Sequence, residues 1–260
     1  MHPEIRITAD RGVATIWLAF PGDPVNALDL ARLKQLDAAI ASLTANSFID
    51  QVVIRSAKPN GFCAGLNPDA VRSLVHPSDR AAFSRFGQAA FARIAALPQT
   101  TIAFIDGPCL GAGFELALAC DYRLSVASPA NHLGFPHEPP CFGGSCRVPK
   151  ALIESRRTLS GREARALGLV DRAFCERRAK LELQMFLNEA RPKPRRAEPT
   201  GLANETRAFV ADMGRAWQPI AAMEPEIALA RGFITPLEFD YLPKPQGVVR
   251  EAGSGLKVAA

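Results

Sequence analysis

No apolar run in the 260-residue chain approaches the roughly 20 residues that a membrane-spanning helix needs. Met1 to Asp10 mixes acidic, basic and apolar side chains and lacks the apolar stretch of a secretory signal. A disulfide framework is missing too. The cysteines (Cys63, Cys109, Cys120, Cys141, Cys146, Cys175) are too sparse for one, and most have the small or apolar neighbours of buried thiols. No internal repeat occurs. The only biased block is Arg191-Pro-Lys-Pro-Arg-Arg196, where the prolines indicate an extended linker rather than a recognition helix. The expectation is a cytoplasmic location with no membrane association.

What is present is ordinary for a globular protein: 48% hydrophobic and 22% charged residues, with a formal charge of +5. That charge permits an acidic ligand. The basic residues are dispersed, however, so they read as a solvated arginine-rich surface and nucleic acid is not an expected partner. The length suits one domain with an appendage, a core over 1–190 followed by a helical and loop appendage over 191–260.

Ile5–Ala9 and Val13–Phe20 read as strands of a hairpin turning at Asp10-Arg11-Gly12. Leu30, Leu33, Leu36, Ile40 and Leu43 mark a helix to Thr44 with Asp29 as its N-cap. Gln51–Ser56 is a strand, and a short helix follows over Asp69–Val75. Phe83, Phe86, Ala90, Ile94 and Leu97 form another helix, stopped by Pro98. Thr101–Ile105 and Tyr122–Ala127 are strands around a helix carrying Glu115. After Pro149 the pattern turns helical, with one strand-like piece at Leu169–Phe174. Alternating strands and helices predict an α/β fold with a largely parallel sheet.

Two glycine-rich turns carry the chemistry. One, Asp106-Gly107-Pro108 through Gly111-Ala112-Gly113, opens the helix in which Glu115 sits among Phe114, Leu116, Ala117 and Leu118. Free backbone N–H groups at a helix start favour negative charge, and apolar surroundings suit a carboxyl to proton transfer. The other, Asn60-Gly61-Phe62-Cys63-Ala64-Gly65-Leu66-Asn67-Pro68, also leads from a strand towards a helix. Loops at the carboxyl ends of neighbouring parallel strands meet in one crevice, so each turn can offer an N–H to one oxygen.

Phe62 to Asn67 and Ile105 to Ser128 closely resemble the crotonase (enoyl-CoA hydratase/isomerase) family. Supporting matches are Pro24-Val25-Asn26-Ala27-Leu28, Leu159 to Ala164 and Gly168-Leu169-Val170-Asp171, in the family's order and spacing. The resemblance implies a crotonase-like spiral core of stacked ββα units, with a helical C-terminal region that builds a homotrimer or a dimer of trimers. It implies an oxyanion hole from the backbone N–H groups of Leu66 and Ala112. Ala64, Gly65, Leu66 and Asn67, with Asn26 beside them, would line the site of an acyl-CoA or acyl-carrier thioester. Coenzyme A enters as part of the substrate, with no separate cofactor. Glu115 falls on the first of the two glutamates with which hydratases of the family hold and deprotonate water.

The second glutamate belongs to a Pro-Glu pair in the family, but here Pro136 is followed by His137, and Glu138 comes one later. The loop to Gly143-Gly144 is also shorter than usual. Either Glu138 has shifted into the acid/base role or His137, a competent acid/base, has replaced it. The main expectation is hydration of an α,β-unsaturated acyl thioester. An isomerase, decarboxylase or C–C hydrolase using His137 is the alternative, and a non-catalytic RNA- or protein-binding homologue the second. His132, His137, Cys141 and Cys146 could supply metal ligands, but their spacing is off the zinc template and no metal is expected. Asp121, at a strand start, is expected to serve as a structural hydrogen-bonding group.

Overall fold

The computed structural model describes residues 4–21, 24–59, 61–129, 131–136, 142 and 148–189. The proposed appendage at 191–260, with His137, Glu138, Cys141, Cys146 and the Gly143-Gly144 pair, lies outside the described residues.

The hairpin forms as its pattern predicts. Strand β1 (Ile5–Asp10) pairs antiparallel with β2 (Val13–Leu18) across Arg11 and Gly12, both at positive φ. Helix α1 (Leu30–Thr44) starts at Asp29, whose side chain accepts from Arg32 N. Strand β3 (Gln51–Ser56) follows, then α2 (Pro68–Ser73) and α3 (Pro77–Ala96), the latter begun by the first-turn proline. Next come β4 (Thr100–Ile105), the two-residue β5 (Cys109–Leu110), α4 (Ala112–Ala119), β6 (Tyr122–Val126) and the two-residue β7 (Leu133–Gly134). The rest comprises α5 (Lys150–Ser155), α6 (Gly161–Ala166), β8 (Arg172–Phe174) and α7 (Ala179–Asn188). The strand expected over Leu169–Phe174 is thus only its last three residues.

The main sheet has the order β1-β2-β3-β4-β6-β8, with every pair after the hairpin parallel. Its central strands β3, β4 and β6 are buried on both faces, as covered parallel strands must be. Ala14, Ile16, Leu18, Val52, Ile54, Ala103 and Ile105 face the larger core beneath α1, α3 and α4. Val53, Ile102, Phe104, Leu124 and Val126 face a smaller core closed by Phe174 and Phe186 of α7. Mixed α/β architecture is therefore as expected. Among the described residues no helix is long and apolar enough to cross a membrane.

A second, minor sheet was not legible in the pattern. It joins β5 to β7 in parallel and extends through single bridges, Leu28 to Leu66, Cys63 to Cys109 and Leu133 to Leu159. Pieces this short carry no periodicity. They are made by hydrogen bonds between segments far apart in the chain.

Asp121 ties β4 to β6 and has the structural role expected of it. Its Oδ2 accepts from the N–H and hydroxyl of Thr101, both at 2.8 Å, and its own N–H donates to Thr101 Oγ1. All of these groups are buried. Asp121→Ala is expected to lower stability by about 2–3 kcal/mol because buried donors lose their acceptor. Urea titration should show a lower midpoint with an unchanged slope; an unchanged midpoint would contradict this role.

Candidate active site

Because β3 and β4 are neighbouring parallel strands, the segments leaving their carboxyl ends emerge side by side. The turn after β3 is stitched to the turn after β4: Cys63 N donates to Pro108 O and Leu110 N donates to Cys63 O, each at 3.0 Å. On its other edge the first turn pairs with residues 26–28. Ala64 N donates to Asn26 O, Leu28 N to Gly65 O, and Asn67 N to Leu28 O, at 2.7–2.8 Å. The second turn is held from beyond, with Cys109 N donating to His132 O and Gly111 N to Gly134 O at 2.9 Å.

Two glycines permit this approach. A Cβ on Gly113 would fall 2.7 Å from the carbonyl carbon of Cys63 and nearer still to its oxygen. Gly65, at φ +109°, has Leu110 O only 3.2 Å and Ala112 N 3.8 Å from where its Cβ would be. The Gly65–Leu66 peptide is thereby brought beside the start of α4.

Among the described residues neither Leu66 N–H nor Ala112 N–H donates a backbone hydrogen bond. Both residues are buried, Leu66 at 4% and Ala112 at 1% exposure. Buried backbone donors are nearly always paired, so two unpaired ones at one spot are unusual. Ala112 is the first residue of α4, where an N–H has no intrahelical acceptor. Each donor is also polarised through its own peptide. Gly65 O, on the peptide of Leu66 N, accepts from Leu28 N; Gly111 O, on the peptide of Ala112 N, accepts from Phe114 N and Glu115 N.

Glu115 lies in the first turn of the same helix and is 1% exposed. Its Oε1 accepts a 2.7 Å hydrogen bond from the backbone N–H of Phe142. All the residues of α4 from Ala112 to Leu118 are buried, so this carboxyl is set in an apolar helix as expected. Phe135 packs on Phe114 with ring centroids 5.4 Å apart.

Asn26 and Asn67, expected to line the thioester site, both make hydrogen bonds within the fold. Asn26 is fully buried. Its Oδ1 accepts from Phe20 N, and its Nδ2 lies within 2.9–3.2 Å of Phe62 O, Ser56 Oγ and Leu18 O. The amide is consumed in holding β2, β3 and the Cys63 turn together. Asn67 caps α2, its Oδ1 accepting from Asp69 N and Ala70 N. Ala64 is half-buried.

Other groups near the turns were not singled out in the sequence. Lys58 Nζ donates to Val25 O at 3.2 Å, placing a cation beside residues 24–28, where Pro21 to Pro24 supply none. Arg55 lies between the rings of Trp17 and Phe104, 4.8 and 4.6 Å from their centroids. Burial raises the Asp106 carboxyl above its ordinary range, partly offset by Arg55. The Cys109 thiol is raised well above its usual value by burial and by Cys63 and Cys120, so it packs as a neutral group and is no nucleophile. Phe142 was also missed. A glycine at a core-facing position of α3, Gly87, was the available signal.

The Enoyl-CoA hydratase/isomerase family model matches residues 8–197. The chain is 33% identical over 214 residues to the fatty acid oxidation complex subunit alpha of Vibrio cholerae, covering 76% of this chain and 30% of that protein. With the same subunit from Vibrio campbellii it is 35% identical over 169 residues, 60% of this chain and 24% of the relative. The chain therefore spans less than a third of the length of these curated relatives. Among solved structures, human mitochondrial delta3-delta2-enoyl-CoA isomerase superposes with a TM-score of 0.72 at 20% identity, covering 89% of this chain and 98% of that one. An enoyl-CoA hydratase/carnithine racemase from Magnetospirillum magneticum gives 0.66 at 26% identity, with 91% and 90% covered. The chain belongs to the enoyl-CoA hydratase/isomerase family, the crotonase superfamily.

Proposed function

We propose that the chain is an enzyme that binds an α,β-unsaturated acyl-CoA and adds water across its double bond through an enolate. The observation that carries this reading is the pair of N–H groups, Leu66 and Ala112, that have no backbone acceptor among the described residues, with the buried Glu115 in the same first helical turn as Ala112. The two amides receive the thioester oxygen as it gains charge, and one well-placed donor of this kind is worth about 3 kcal/mol in the transition state. Glu115 takes a proton from water, the water oxygen bonds to the β-carbon, and the double-bond electrons move onto the thioester oxygen. His137 or Glu138 returns a proton to the α-carbon. Ala64 to Leu66 form the wall against which the thioester lies.

Lys58 supplies a cation for phosphate near residues 24–28, which favours coenzyme A over a bare acyl group; an acyl carrier would present a phosphate as well. The named fatty acid oxidation relatives support a fatty acyl substrate. No separate cofactor or metal takes part in this scheme. A trimeric or dimer-of-trimers assembly in the cytoplasm completes the proposal, on the strength of family membership.

Purified protein should consume the conjugated double bond of crotonyl-CoA or a longer homologue and yield the 3-hydroxyacyl product. Glu115→Gln should lower kcat by about 10²–10⁴-fold, the usual worth of a positioned acid/base, with an unchanged circular dichroism spectrum. Full turnover by that variant would sink the assignment. Migration of the double bond without water uptake would indicate an isomerase, and cleavage of a β-diketone a C–C hydrolase. Asn26→Ala loosens the clamp on the Cys63 turn and should lower kcat/KM about 100-fold, the cost of displacing a reacting group by roughly an ångström. Wild-type kinetics in Asn26→Ala would show that the clamp does not set the site.

A further inference from the structure

Helix α3 presents Phe83, Gly87, Ala90, Phe91 and Ile94 to the core at helical spacing. Gly87 is out of place in that stripe. A glycine inside a helix costs about 1 kcal/mol relative to alanine and leaves a notch where its neighbours carry side chains. The notch is filled from elsewhere in the chain by the ring of Phe142. A Cβ on Gly87 would lie 2.7 Å from the ring's Cζ and closer still to Cδ1 and Cε1, so the ring rests on bare backbone. Phe83 and Phe91 close the notch on either side, with ring centroids 5.5 and 5.2 Å from that of Phe142, tilted at 60° and 87°. Phe142 is 2% exposed.

The same residue reaches the candidate active site through its backbone. With its ring held in the α3 notch, the N–H of Phe142 meets Glu115 Oε1 at 2.7 Å, both residues being buried. A buried carboxylate needs donors, and a charge-assisted bond of this length is a strong one.

We propose that Phe142 is a positioning residue, a ring locked in the Gly87 notch so that its backbone N–H orients the Glu115 carboxylate for proton transfer. The role depends on Glu115 moving a proton, as proposed above. It differs from simple core filling, in which any apolar side chain of similar volume would do and the backbone amide would be incidental.

The test is a size-compensation series in the full chain: Gly87→Ala, Phe142→Leu and the double variant, assayed for enoyl-CoA turnover across pH. Gly87→Ala expels the ring and should lower kcat about 100-fold with KM within about twofold. It should also move the acid limb of the kcat/KM profile to higher pH, because the charged carboxylate has lost a donor and protonates more readily. Phe142→Leu shortens the side chain and should restore activity at least about tenfold when combined with Gly87→Ala, by relieving the clash. Loss of activity in Gly87→Ala with an unmoved acid limb would reduce Phe142 to packing and overturn the proposal, as would full activity. Amide hydrogen exchange provides a readout independent of turnover. The Phe142 amide should be protected in the wild type and lose protection in Gly87→Ala while β4 and β6 amides keep theirs. If the wild type turns over no enoyl-CoA, the reaction assigned above fails while exchange still reports on the lock. A Phe142 amide unprotected in the wild type would overturn the lock itself.

Discussion

The peptide around Cys63 lies directly against Gly113, with its N–H given to Pro108 O and its C=O taking Leu110 N. Nothing larger than a hydrogen atom fits on Gly113 at that contact, and the position of every other candidate group follows from it. It sets the Gly65–Leu66 peptide beside the first turn of α4. Among the described residues it leaves Leu66 and Ala112 N–H without backbone acceptors, and it puts Glu115 two residues past the close approach at Gly113. The surrounding hydrogen bonds, from Asn26 on one edge and from His132 and Gly134 on the other, hold this contact in place.

Such an arrangement stores capacity rather than stability. Two N–H groups of buried residues without backbone acceptors among the described residues are a cost to the folded chain, and the large apolar core under α1, α3 and α4 offsets it. The division of labour is visible in the polar residues. Asp121, Asn26 and Arg123 are buried and spend their hydrogen-bonding capacity on the backbone, Arg123 reaching Leu169 O and Cys120 O at 2.7 and 2.9 Å. Glu115 is also buried, but it lies beside donors that remain uncommitted. The chain belongs to the enoyl-CoA hydratase/isomerase family.

Much of the fold was legible because its signals are local. Asp29 caps α1, the 3–4 spacing of leucines marks that helix, and β3 and β4 are short apolar runs ended by turns. The two glycine turns were legible as well, since only such residues allow a strand to pass into a helix so tightly. Other features were not. β5 and β7 are two residues each and exist only as partners of distant segments. Asn26 looked like a lining residue by position, yet its amide is used up by Phe20, Leu18, Ser56 and Phe62, a set of contacts that no local pattern encodes.

By itself the sequence determined the family, the α/β class, the two turns and the identity of the buried acid, because each depends on residue types at short, regular spacing. Only the tertiary structure decided that the turns meet through Gly113 and Gly65, that Asn67 caps a helix, and that Lys58 stands beside Val25. It alone placed Phe142 in the notch left by Gly87 with its amide on Glu115. The reason is physical: those outcomes depend on which distant backbone groups come within hydrogen-bonding reach once the apolar faces are buried. The spacing of residues along the chain does not contain that distance.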